Sequence, residues 1–168
     1  MELGRRHNVE KEPLDLDSLV GATRELVEDE LDRNAIQLVT DLPDPSPQFL
    51  ANGQQLIQVL TNLLRNAAQA EEVQRVRLSA RQENDWLTLW VEDDGAGITR
   101  ANQSKVFDPF FTTKPVGKGS GLGLSMVHRI INDHGGTVGV FDSDMGGAGF
   151  EVGLPLSQTD SIEGGNAT

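Results

Sequence analysis

The chain has 168 residues, a formal charge of −12 from 26 Asp and Glu against 14 Lys and Arg, and no cysteine. That length is one domain's worth, able to bury roughly two-thirds of its unfolded surface. The missing cysteines exclude a disulfide scaffold, thiolate zinc clusters and cysteine nucleophiles, and the acidity excludes nucleic-acid binding through general electrostatics. An anionic ligand would have to be met locally, by backbone N–H groups, a metal ion and a few placed cations.

Residues 1–12 are polar and read as the end of a helix or a linker, without the apolar core of a signal peptide. Leu14-Asp15-Leu16 alternates like an edge strand. Apolar residues Leu19, Val20, Ala22, Leu26, Val27 and Leu31 predict a helix over 18–34. Ile36–Val39 reads as a strand, and the Pro-rich stretch 43–47 as a loop. The clearest helix covers 54–71, where Leu56, Ile57, Leu60, Leu63, Leu64 and Ala67 form a stripe opposite Gln58, Asn62, Asn66 and Gln69. Strands follow at Val76–Arg81 and Trp86–Glu92, turning at 83–85. A helix over 121–134 ends at Gly135-Gly136, and Val138–Phe141 with Phe150–Leu154 form a closing hairpin. Residues 157–168 read as a disordered tail. No run of about 18 apolar residues occurs, so nothing here is expected to span a membrane. Mixed helices and mostly antiparallel strands argue an α/β sandwich with helices on one sheet face.

Four groups of residues carry chemistry. Asn62 and Asn66 sit one turn apart, although asparagine is a poor helix-interior residue. Either alone reads as part of a solvated face. Together they offer amide oxygens to a hard cation and N–H donors to phosphate, without adding negative charge. Asp93-Asp94-Gly95-Ala96-Gly97 leaves a strand as a polar turn would. It also places a carboxylate where an exocyclic amine could be read, with glycines admitting a flat ligand. The run 107–114 places Phe107, Phe110 and Phe111 before two threonines and Lys114, an anchor for a loop that also carries Lys118. Finally, Gly117-Lys118-Gly119-Ser120-Gly121-Leu122-Gly123-Leu124 runs into a helix, so its N–H groups can converge on phosphate. It is not a P-loop, since Gly119 follows the Gly-Lys pair, and Leu124 breaks the dinucleotide pattern.

In this order the four groups resemble the N, G1, F and G2 boxes of sensor histidine kinases, members of the GHKL ATPase superfamily with gyrase, mismatch-repair proteins and chaperones. The resemblance runs from about Pro13 to Leu156. Its wording, Phe-Phe-Thr-Thr-Lys-Pro-Val-Gly-Lys-Gly and Arg-Asn-Ala-Ala-Gln-Ala, is similar to the nitrogen-regulation branch. It implies a Bergerat-type two-layer α/β sandwich over 13–156 with a flexible ATP lid, and ATP and Mg²⁺ as ligands. Asn66 would coordinate Mg²⁺ and Asn62 would support the phosphates. Asp93 would accept the adenine amine, with Gly95, Gly97 and Ile98 shaping the pocket. Gly119, Ser120, Gly121, Leu122, Gly123 and Leu124 would line the phosphates. Lys114 and Lys118 would reach the β- or γ-phosphate from the lid, with Lys114 joining the two asparagines as the catalytic set.

The departures from the family pattern are as informative. A Lys and an aromatic commonly follow the N box, where Gln69 and Ala70 stand, so Arg65 becomes the candidate replacement cation. Gly147-Ala148 replaces a Gly-Thr pair and removes a hydroxyl near the adenine. Hydrolytic relatives place a glutamate where this chain has Asn62, and an amide cannot act as general base. That favours transfer to a protein acceptor. His7, His128 and His134 are the only histidines, and none stands in an acceptor pattern. The resemblance therefore implies an acceptor histidine on a separate dimerisation hairpin, a response-regulator partner and a cytoplasmic setting. A GHKL ATPase or serine kinase, and a non-catalytic nucleotide-binding module, are the alternatives.

Overall fold

The computed structural model describes residues 9–112 and 123–156. The expectations for residues 1–8 and for the tail over 157–168 lie outside them. β1 (Glu12–Asp15) pairs antiparallel with β3 (Gln48–Ala51) in a small two-stranded sheet. The main sheet has five strands in the order β2 (Gln37–Asp41), β4 (Arg75–Glu83), β5 (Trp86–Asp93), β7 (Ala148–Pro155) and β6 (Thr137–Asp142). The β2–β4 pair is parallel and the other three pairs are antiparallel. This is the mixed, mostly antiparallel sheet expected.

Alternation along the strands decides where the helices lie. Val76 and Leu78 of β4, Leu87, Leu89 and Val91 of β5, and Phe150, Val152 and Leu154 of β7 are all buried. They face α1 (Leu16–Arg33), α2 (Gly53–Ala68) and α4 (Gly123–Asp133), whose buried residues join them in one core. Each fully buried aliphatic side chain contributes about 1.5–3 kcal/mol of transfer free energy. On the other face the rings lie across glycines. A Cβ on Gly153 would fall 2.5 Å from the Trp86 indole, and one on Gly149 would collide with the Phe141 ring.

The element ends explain where the predicted boundaries move. Leu16 is the first residue of α1 rather than the last of a strand, because the Asp15 side chain accepts the Ser18 N–H at 3.1 Å and caps the helix there. α2 begins where Asn52 accepts the Gln55 N–H at 3.0 Å, and it stops at Ala68 rather than 71. Glu72, at φ 63°, has already left the helical region. Two elements were not anticipated: β3, and the single helical turn α3 (Arg100–Gln103). α4 ends as predicted, with Gly135 at φ 78° and its N–H on the Asn132 carbonyl.

His134 bolts the end of α4 to the start of α2. Its ring is buried, Nε2 accepts the Asn52 N–H at 3.1 Å, and Nδ1 lies 2.8 Å from the Ile130 carbonyl. A backbone N–H can only be met by a lone pair, so the proton must sit on Nδ1 and the ring must be neutral. Burial holds the pKa below the ordinary histidine value, against the opposing pull of the Ile130 carbonyl. A folded-state pKa below the unfolded one means that the unfolded chain binds the extra proton first. Stability is then complete above about pH 6.5 and is lost as pH falls toward the lowered value. Urea titrations from about pH 7.5 to 5.5 should show this loss in the native chain and a flatter profile in His134→Gln. Parallel profiles would remove His134 from this role.

Candidate functional site

Several of the predicted residues lie on α2 or in segments that touch it. At the middle of α2, the Asn62 amide donates from Nδ2 to the Gln58 carbonyl at 2.8 Å, which fixes the direction of the side chain. Its Oδ1 then lies 2.9 Å from where a Cβ on Gly123 would stand, so the start of α4 packs directly on this amide. A second α2–α4 contact runs from Gln58 Nε2 to Met126 Sδ at 3.0 Å. At the far end of α2, the loop after β5 docks on the residues that follow the helix. The Ala96 N–H donates to the Glu71 carbonyl at 2.9 Å. A Cβ on Gly95 would lie 2.8 Å from that same carbonyl and 3.0 Å from the Ala70 Cβ, so only glycine permits the approach. Asn66 lies between these two contacts, four residues from both Asn62 and Ala70. At about 1.5 Å of rise per residue, the whole stretch is on the order of 12 Å long.

Asp93 ends β5 with its side chain on the helix side of the sheet and 3% exposed. Oδ1 accepts the Gly95 N–H at 2.9 Å and the Ala148 N–H at 3.3 Å. The Asp93 carbonyl accepts the Gly147 N–H at 3.1 Å. Burial pushes this carboxyl above its ordinary range; the two N–H donors oppose the shift and the neighbouring Asp94 charge adds to it. Asp94 has another task. Partial burial disfavours its charge, but the Gln74 and Arg75 N–H groups on Oδ1, at 2.8 and 2.9 Å, outweigh that and hold its pKa low. It fastens the start of β4 and is not a site residue.

Residues that sequence reasoning passed over close the far wall. Gly147 was noted only as part of a missing hydroxyl. A Cβ there would collide with Asp93 Oδ1 and lie 2.6 Å from the Asp93 carbonyl oxygen. Ala148 is buried and contributes its backbone N–H. Gln103 of α3 donates from Nε2 to the Ile98 carbonyl at 3.0 Å and to Asp142 Oδ1 at 2.7 Å, linking the loop to the end of β6. Gly97 turns that loop at φ 83°, and Ile98 packs half-buried against the core.

Other expectations fare differently. Arg65 is not brought to the flank that carries Asn62: its Nε lies 3.6 Å from Glu30 Oε1, on the side of α2 that faces α1. Of the three rings expected to anchor the loop, Phe107 and Phe111 pack against the core. Phe107 meets Phe150 edge-on at 6.0 Å. Phe110 does not pack; it is 74% exposed, at φ 67°. Gly123 opens α4, and Leu124 packs half-buried behind it. Lys114, Lys118, Gly119, Ser120, Gly121 and Leu122, with the proposed lid, lie outside the described residues.

The described groups fit an adenine nucleotide. Among the described residues no hydrogen bond reaches Asp93 Oδ2, so the buried carboxylate retains an acceptor for an amine. The half-buried Asn66 amide likewise bonds to no described residue and keeps its oxygen for a cation. Among the described residues there is no cluster of three His, Asp or Glu that could hold a metal ion. That donor set suits Mg²⁺, which takes one or two protein oxygens and completes its shell with phosphates and water.

The family model for histidine kinase-, DNA gyrase B- and HSP90-like ATPases matches residues 51–158, more than half of the chain. Sensor histidine kinase ZraS of Escherichia coli (strain K12) is 34% identical over 160 residues, covering 95% of this chain and 34% of that protein. Sensory histidine kinase/phosphatase NtrB of Rhizobium leguminosarum bv. phaseoli is 35% identical over 173 residues, covering 92% and 44%. The chain thus spans a third to under a half of these relatives' length. The catalytic domain of histidine kinase ThkA, in a nucleotide-free form, matches at TM-score 0.80 and 27% identity over 88% of this chain and 96% of that one. Full-length ShkA in complex with AMPPNP matches at 0.79 and 27%, over 90% of this chain and 32% of that one. The chain therefore belongs to the histidine kinase-, DNA gyrase B- and HSP90-like ATPase family, and within it resembles the catalytic domains of sensor histidine kinases.

Proposed function

We propose that this chain binds ATP with Mg²⁺ and presents the γ-phosphate to a histidine on a separate dimerisation hairpin, for onward transfer to a response-regulator aspartate. The observation that carries the reading is that α2 bears Asn62 against the start of α4 and, beyond Asn66, receives the Asp93 loop on Ala70 and Glu71. When bound, ATP supplies the phosphoryl group and Mg²⁺ offsets its charge. The chain's own residues position rather than react. Asp93 Oδ2 accepts the adenine amine, which answers a carboxylate otherwise short of donors. Gly95 and Gly147 let two backbone segments close around Asp93, beside which the base would lie. Asn66 would offer its amide oxygen to the cation, and Asn62 packs on the start of α4, whose N–H groups would meet phosphate. Lys114 and Lys118, with the glycines ahead of Gly123, complete the charge neutralisation. Such positioning accounts for most catalysis of phosphoryl transfer.

Asn62 also supports transfer over hydrolysis. The amide is committed to Gln58 through Nδ2 and has no carboxylate oxygen with which to take a proton from water. No helix among the described residues is long and apolar enough to cross a membrane; we place the domain in the cytoplasm, whether the whole kinase is membrane-anchored or soluble.

Labelled ATP added to this chain with a separately prepared acceptor hairpin should label the hairpin histidine. Binding without transfer to several cognate hairpins would instead leave a nucleotide-sensing module. Asn66→Asp adds a negative charge beside the phosphates and should lower the transfer rate about tenfold or more, the equivalent of about 1.4 kcal/mol. An unchanged rate would withdraw Asn66 from the cation.

A further inference from the structure

Glu92 is a buried carboxylate, 6% exposed, for which the mechanism above has no use. It precedes Asp93 on β5 and so points to the opposite face of the sheet. Two of the elements around it reach its oxygens. Arg77 of β4 donates to Oε2 from Nη2 at 2.9 Å and from Nε at 3.3 Å. Ser143, in the turn between β6 and β7, donates from Oγ to Oε1 at 2.9 Å. Ser143 is itself buried and organises its turn. Its Oγ accepts the Met145 N–H at 3.0 Å, its N–H donates to the Gly147 carbonyl at 2.8 Å, and its carbonyl accepts the Gly146 N–H at 3.1 Å.

That turn delivers Gly147 and Ala148 to Asp93. The linkage is therefore continuous: Arg77, Glu92, Ser143, the 143–147 turn, the Ala148 N–H and finally Asp93 Oδ1. The Ala148 bond, at 3.3 Å, is the longer of the two that hold this oxygen. Its geometry depends on where the turn sits, and Gly147 leaves no slack on the other side, since even a Cβ would collide with Asp93.

We propose that Glu92 and Ser143 are positioning residues for base recognition: by pinning the β6–β7 turn from the opposite face of the sheet, they hold Asp93 Oδ1 on the Ala148 N–H and so aim Oδ2 at the purine amine. The proposal rests on the reading of Asp93 as the acceptor of that amine. Neither residue touches the nucleotide. A loosened turn lets the carboxylate rotate, and the contact weakened is the one that separates adenine from a purine without the amine.

The test is the ratio of affinities for ADP and inosine diphosphate, whose base carries an oxygen in place of the amine, measured by calorimetry on the whole chain with Mg²⁺. Thermal midpoints would be recorded in parallel. The native chain should prefer ADP, and Asp93→Asn should lose the preference. Ser143→Ala should reduce the ratio about tenfold while staying folded, mainly by weakening ADP. Glu92→Ala should do the same, and the double variant should go no further, because both cut one linkage. Glu92→Ala also strips Arg77 of a partner, so Ser143→Ala decides the matter if Glu92→Ala does not fold. A general loss of stability would weaken both nucleotides alike and leave their ratio intact. A native ratio in folded Ser143→Ala overturns the positioning proposal, and with Asp93→Asn impaired it leaves the adenine reading standing. No preference for ADP in the native chain overturns the adenine reading, and this proposal with it.

Discussion

A carboxylate buried at the end of a strand must be answered by donors, and the arrangement around Asp93 follows from that requirement. Removing an ionised group from water without hydrogen bonds costs several kcal/mol in protein interiors, and the group then tends to neutralise. Here the upward pull of burial is opposed by two backbone N–H groups, from Gly95 and Ala148. One belongs to the loop after β5 and the other to the start of β7, so the carboxylate joins segments that lie 53 residues apart. Both segments must come within hydrogen-bonding distance, and both do so through glycine. The demand of one charged group thus dictates two backbone approaches.

α2 supplies the second constraint. Its apolar stripe is consumed by the core, and α1 and α4 pack on its two sides. The polar residues left over are sorted by these neighbours. Arg65 falls on the α1 side and pairs with Glu30, a largely exposed contact of the kind worth at most about 1 kcal/mol. Asn62 falls on the α4 side, where it touches the first residue of that helix. Residues three apart in the chain therefore serve different surfaces, and no property of the isolated α2 sequence distinguishes them.

That difference marks how far the sequence could be read. Periodicity was enough for α2, and alternation for β4 and β5, because each has one buried face and no competing pattern. Asn62, Asn66, Asp93 and Gly95 were legible as motifs, since their residue types are costly or unusual where they stand. β3 was not, because four residues after a proline-rich loop carry too short an alternation. α3 was not, because a single turn leaves no period. The Asp15 cap moved the start of α1 through one side-chain hydrogen bond, a local choice that competes with a strand reading of the same residues. Phe110 differs from Phe107 and Phe111 only in backbone direction, which composition does not record.

The run Glu92-Asp93-Asp94 makes the same point in charge. In sequence, Glu92 ends a strand and Asp93-Asp94 leave it as a polar turn would, in a chain of net charge −12. The pleat sends all three apart: Glu92 to Arg77 and Ser143 on one face, Asp93 to the helix side, and Asp94 to two amides at the start of β4. Each has donors of its own, so their mutual repulsion is met locally rather than shared. Only at Asp93 does a nearly buried carboxylate keep one oxygen out of every hydrogen bond among the described residues. A carboxylate answered by protein on one oxygen alone has room for a donor from outside, and on those grounds we propose the middle acid as the one left for a ligand.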